Sequence, residues 1–129
     1  MPGGASIEST TAAAIRRLPH ATEEIPITTL DEDIRENNLP APDFIKIDIE
    51  GLESEALLGA RETLARGPSL FLEMHGETMN EKRRKCAEVV AILEKAGYSD
   101  ILHVETSTRV TSANTAIAAE GHLYCPPKP

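Results

Sequence analysis

Between Phe44 and Glu50 the chain alternates: Ile45, Ile47 and Ile49 stand on one side of the pattern, Phe44, Lys46, Asp48 and Glu50 on the other. A period of two rich in β-branched residues predicts a strand over 44–49. After Gly51 the period lengthens to helical spacing, with Ala56, Leu57, Ala60 and Leu64, and predicts a helix from about Leu52 to Ala65. Glu53 and Glu55 fall near the positive end of that helix dipole, Arg61 and Arg66 near its negative end. Gly67-Pro68 stops it. Pro40 and Pro42 keep any earlier helix from running into the strand. Strand, glycine turn and helix make the first half of a βαβ unit.

A second alternation follows, with Leu70, Leu72 and Met74 on one face and Phe71, Glu73 and His75 on the other, predicting a strand over Ser69–His75. Thr78 and Glu81 fit a capping box, opening a helix that buries Cys86, Val89, Val90, Leu93 and Ala96 and ends at Gly97. Ile101–Val104 reads as a third core strand, residues 105–114 as a polar loop, and Gly121–Cys125 as a final strand. Upstream, Glu24–Thr29 reads as a short strand held to an edge by Pro26. Thr29 and Glu32 fit a capping box for a helix over Leu30–Asn37. Residues 1–22 are poorly specified; Thr11–Leu18 reads as one short helix or a tail. The alternation of strands and helices predicts one α/β domain, a three-layer sandwich on a mostly parallel sheet.

Composition narrows the partners. A net charge of −8 disfavours nucleic acid and anionic membrane, and the run Lys82-Arg-Arg-Lys85 reads as a solvated helix face. Two cysteines make no disulfide framework, so free thiols and a cytoplasmic location are expected. No apolar run approaches the roughly 18 residues of a membrane span, and Met1-Pro-Gly-Gly has no signal-peptide pattern. With no Trp and 3% aromatic residues, the chain offers no stacking platform for bases.

Candidate chemistry gathers where ligands bind in open α/β sheets, at the carboxyl ends of the strands. If the two strands pair in parallel, Lys46, Asp48, Glu50, Glu73 and His75 share a face. Asp48 lines the crevice. Glu50 and Glu73 bind a substrate hydroxyl or hold Lys46, and Glu50 has a second reading as a helix cap. Lys46 is expected to pair with a neighbouring carboxylate. His75 serves as a base, as an orienting group for a hydroxyl, or simply as a backbone partner. His20, His103 and His122 join no constellation and read as surface or structural. Asp48, Glu50, Glu73 and His75 also resemble a hard-metal ligand set, without an established metal spacing. That leaves a Mg²⁺- or Mn²⁺-dependent hydrolase or lyase, and a non-catalytic interaction module, as alternatives.

Four segments together carry a resemblance: Thr29-Leu-Asp31, Phe44-Ile-Lys-Ile-Asp-Ile-Glu-Gly51, Glu55-Ala-Leu-Leu-Gly-Ala60 and Leu70-Phe-Leu-Glu-Met-His75. In order and spacing the chain from about Ile25 to Cys125 resembles the FkbM-type methyltransferases. The resemblance implies a Rossmann-like class I fold, S-adenosylmethionine as cofactor and O-methylation of a small-molecule or sugar hydroxyl. It makes strands 44–49 and 69–75 the fourth and fifth of that sheet and the last two an antiparallel hairpin. It implies Asp48 and His75 as catalytic residues, Asp48 as cofactor-binding, and Glu50 and Glu73 as substrate-binding. The family's glycine-rich Asp-x-Gly-Ala loop and the acidic residue that holds the ribose have no counterpart in this sequence. Residues 23–125 are therefore expected to be the C-terminal part of such a domain, with 126–129 a tail, inactive alone. With its first strand missing, strand 44–49 is expected to expose an edge that recruits another chain.

Overall fold

The computed structural model describes residues 22–129; the helix or tail read over Thr11–Leu18 lies outside them. In chain order they form helix α1 (Leu30–Glu36), strand β1 (Phe44–Ile47), helices α2 (Glu53–Leu58) and α3 (Arg61–Ala65), strand β2 (Ser69–Met74) and helix α4 (Met79–Lys95). Two short strands, β3 (Leu102–His103) and β4 (Thr108–Arg109), a 3-10 turn at Thr115–Ala118 and strand β5 (Gly121–Cys125) complete the chain. The sheet order is β1-β2-β5-β3-β4.

The period-two reading of β2 holds: Leu70, Leu72 and Met74 are buried and alternate with half-buried Phe71 and Glu73. β1 lies parallel to it, with Ile47 opposite Leu72. β5 runs antiparallel along its other side, with Leu123 opposite Leu72 and His122 opposite Glu73. β5 pairs antiparallel with β3, as expected of the last two strands. The sheet is nonetheless mixed rather than mostly parallel, because β5 also pairs antiparallel with β2, and β3 with β4. Among the described residues only β1–β2 is parallel. β4 emerges from what reads in the sequence as loop: Thr108 and Arg109 turn back on β3 as a short hairpin.

The described residues also form two layers rather than three. Leu57, Leu64, Val89, Val90 and Leu93 from the helices pack with Leu70, Leu72, Leu123 and Cys125 of the sheet in one core. The opposite face, with Phe44, Lys46, Phe71, Glu73, His122 and Tyr124, is half-buried or exposed. β1 is the outer strand, and Phe44 is 55% exposed.

Residues 24–29 form no strand: Ile25 and Ile27 are exposed, and Pro26 cannot donate to a ladder. The single helix expected from Leu52 to Ala65 is broken at Gly59-Ala60, and α1 supplies the reason. Asp31 donates its N–H to the Gly59 carbonyl (3.1 Å). Its carboxylate then accepts the N–H groups of Glu62 (2.9 Å) and Thr63 (3.0 Å) and the Thr63 hydroxyl (2.7 Å). A residue 31 positions away thus caps the new helix start. Thr29 packs so close to Gly59 that a Cβ there would meet the Thr29 Cβ at 2.9 Å.

Both helices read from capping signals begin where expected. Thr29 accepts the Glu32 N–H and Thr78 the Glu81 N–H, each at 3.1 Å. α4 ends with Gly97 at φ +97°, and the Gly97 and Tyr98 N–H groups return to the Glu94 and Leu93 carbonyls. The C-terminal residues are tied down here: Lys128 donates to the Ala96 carbonyl (2.7 Å) and sits over the Tyr98 ring.

The Asp31 cap generates a stability prediction with a defined pH dependence. Burial disfavours the Asp31 charge, but the bonds from the Thr63 hydroxyl and the Glu62 and Thr63 N–H groups, with Arg35 nearby, outweigh it and hold the carboxyl below its ordinary value. A depressed folded-state pKa stabilises above the unfolded value, and that stabilisation is lost as pH falls through the folded value. Asp31→Ala should cost about 1–2 kcal/mol at pH 7. Urea unfolding should show the gap between wild type and variant narrowing below about pH 4. An equal gap at pH 7 and pH 3 would mean the cap owes nothing to its charge.

Candidate active site

Because β1 and β2 are parallel, their carboxyl ends lie at one edge of the sheet. Antiparallel β5 brings its amino end, Gly121-His122, to the same edge. Asp48 leaves β1 there, and His75 leaves β2. The chain between β1 and α2 turns sharply, with Glu50 at φ +56° and Gly51 at φ +104°.

Glu53, the first residue of α2, closes this turn from inside. It is 1% exposed, and its Oε2 accepts the N–H groups of Ile49 (3.3 Å) and Gly51 (3.2 Å) and faces His75 Nδ1 at 3.0 Å. An ionised carboxylate only accepts, so Nδ1 is the donor in this bond, and Nε2 is the ring nitrogen turned to the cleft. Nε2 in turn faces Asp48 Oδ1 at 3.2 Å, Glu50 Oε1 at 3.8 Å and Glu73 Oε2 at 3.9 Å. Exposure rises outward across the cleft, from 16% at the His75 side chain through 39% at Asp48 to 71% at Glu50. Asp48, Glu50, Glu73 and His75, named from the sequence, therefore stand together.

Three readings change. Lys46 is exposed, its cross-strand neighbour is Phe71, and among the described residues it pairs with no carboxylate. Glu50 caps nothing: α2 begins after Leu52 without a side-chain cap. His122 belongs to the site's rim rather than standing apart. Its Nε2 lies 3.9 Å from the same Glu73 Oε2, while its backbone N–H and Nδ1 both engage the Glu105 carboxylate. These bonds from His122 hold the Glu105 carboxyl down at about 2. Phe71 stacks on the His122 ring at 5.1 Å. His103 is structural, its ring nitrogens bonded to the Thr106 hydroxyl and the Glu120 carbonyl.

The sequence reading gave Glu53 only a helix-dipole role and His122 only a surface or structural one, and it did not place either, or Glu105, at the site. An acid two residues beyond a turn glycine is a usable signal for Glu53. His122 needs the β2–β5 register, which no local pattern carries.

An apolar groove of about 650 Å³ runs beside β1, lined by Ile27, Ile45, Ile49, Leu52 and Leu57, with Glu55 as its charged residue. No helix of the described residues is long and apolar enough to cross a membrane.

A family model described as a methyltransferase FkbM domain matches residues 2–99. No match was found among curated proteins or solved structures. The matched span runs through α4 and stops before β3, whereas the motif resemblance continues to Cys125.

Neither cysteine adds a nucleophile to this edge. Both thiols are buried, which pushes Cys86 up to about 11 and Cys125 to about 12. Native protein at pH 8 should leave both unreacted with a thiol reagent over the time in which urea-unfolded protein titrates two. Rapid labelling of a native thiol would contradict this packing.

Proposed function

We propose a function from a plain premise: the chain belongs to the FkbM methyltransferase family. The reaction we assign is transfer of a methyl group to a hydroxyl oxygen of a small molecule or sugar, with S-adenosylmethionine as the donor the family implies. Family membership favours transfer over the hydrolase, lyase and non-catalytic alternatives.

One observation carries the acceptor site. His75, anchored through Nδ1 to buried Glu53, turns Nε2 into a half-open cleft shared with Asp48, Glu50 and Glu73. The ionised carboxylates are all acceptors, so the cleft suits a partner that brings hydrogen or positive charge. A hydroxyl does so. Transfer requires that oxygen to be aligned and to give up its proton. Asp48 Oδ1 and His75 Nε2, 3.2 Å apart, are the pair we assign to the acceptor oxygen. Glu50 and Glu73, farther out, receive neighbouring hydroxyls.

The described residues do not by themselves fit the whole donor. No glycine-rich turn of the family's kind stands among them, and the groove beside β1 offers a mostly apolar lining, with Thr28, Thr29 and Glu55, to a ligand that is polar along its length. What they offer the donor is the carboxylate of Asp48, at the mouth of β1.

In an assay of labelled methyl incorporation over a panel of hydroxylated acceptors, Asp48→Asn and His75→Gln should each lower the rate by roughly 10²-fold or more. Circular dichroism should show both folded. Glu120→Gln, whose carboxylate pairs with Lys82 outside the cleft, should keep the wild-type rate. Undiminished incorporation by both cleft variants would place the acceptor elsewhere.

A further inference from the structure

We propose that His75, Asp48 and Glu73 bind a divalent cation of the Mn²⁺ type. The use of that cation in methyl transfer rests on the acceptor-site reading above; its binding does not.

One ligand atom from each of the three residues lies within 4.8 Å of the others. Atoms bound at about 2.2 Å from one ion stand up to about 4.4 Å apart, so small side-chain rotations complete the set. The His75 ring is already placed as a metal needs it. Glu53 Oε2 lies 3.0 Å from Nδ1, which leaves Nε2 facing Asp48 and Glu73. A carboxylate behind an imidazole is the arrangement that orients metal-binding histidines.

Two geometric features mark this point as rich in acid. Nε2 faces three carboxylate oxygens at 3.2–3.9 Å. The second oxygen of 99%-buried Glu53 has no hydrogen-bond partner among the described residues. Lys46 does not neutralise the cluster: it is exposed and pairs with no carboxylate among the described residues. A cation held by Asp48, Glu73 and Nε2 would take up the Nε2 lone pair, so in the loaded site the cation rather than His75 would align the acceptor oxygen and loosen its proton, with Glu50 left to accept it. One imidazole nitrogen with carboxylate oxygens suits Mn²⁺ better than Ca²⁺, which takes oxygen alone. Glu50, at 71% exposure, stays outside the set, and the open side of the cleft leaves coordination positions free.

Calorimetric titration of the full chain with MnCl₂ tests the site without any assay of turnover. One saturable site is expected. Asp48→Asn and Glu73→Gln should each weaken it by 10- to 100-fold, while Glu94→Gln, an exposed acid of α4, should leave it unchanged. These isosteric changes spare the Glu53–His75 bond, so both variants should melt like wild type. No saturable binding, or binding indifferent to both cleft variants, overturns the proposal. Mn²⁺ binding of the expected pattern beside undiminished methyl incorporation by the cleft variants would support the site and sink the acceptor-site reading. Incorporation lost in the cleft variants without Mn²⁺ binding would do the reverse.

Discussion

Glu53 is a carboxylate with almost no access to water, and burying such a group costs several kcal/mol unless hydrogen bonds replace its hydration. Here the N–H groups of Ile49 and Gly51 and the His75 ring do so through a single oxygen. The consequences run in both directions. The Ile49 N–H is diverted from the sheet, which ends β1 at Ile47 although the alternation of its sequence continues. The Glu50–Gly51 turn is held in its left-handed conformation, and the imidazole beyond β2 is held by its Nδ1. Turn, strand end and candidate catalytic group are therefore one coupled unit, and a change in any of them is felt by the others.

The same device recurs among the described residues: an acid side chain satisfies N–H groups that local structure leaves without partners. Asp31 does so for the start of α3, at the cost of the helix expected to run on from α2. Glu105 does so for the first turn of β5, holding the His122 backbone and ring together. In a chain with net charge −8, this gives many of the acids structural work, and it brings two oriented imidazoles to one carboxylate, Glu73.

Much of this was legible in the sequence because it is local. Period-two alternation located β1 and β2, Gly121–Cys125 was read as the final strand, threonine caps located the starts of α1 and α4, and strand-end reasoning named Asp48, Glu50, Glu73 and His75 as neighbours. What failed depends on pairing between distant segments. Nothing near Gly121 says that β5 enters beside β2 antiparallel, and that insertion makes the sheet mixed and puts His122 opposite Glu73. Nothing near Gly59 says that Asp31 will cap a second helix there. Lys46 sits on the predicted face, yet its register partner is Phe71, so shared face did not become contact. The strand read over Glu24–Thr29 was a propensity without a partner.

The layout of the cleft favours a division of labour. Its inner wall is rigid, with His75 held from behind by a buried acid, and its outer wall is made of exposed carboxylates on short tethers. Groups fixed before the ligand arrives lose little on binding it, so the inner pair is where orientation of a reacting oxygen is cheapest. The exposed Glu50 side chain must be ordered to contribute, and its hydrogen bond is partly offset by lost freedom. Discrimination among acceptors by Glu50 should then be weaker than discrimination by the half-exposed Glu73, which is flanked by both imidazoles. The chemistry of this edge is thus decided less by how many acids it holds than by which of them the fold has already fixed.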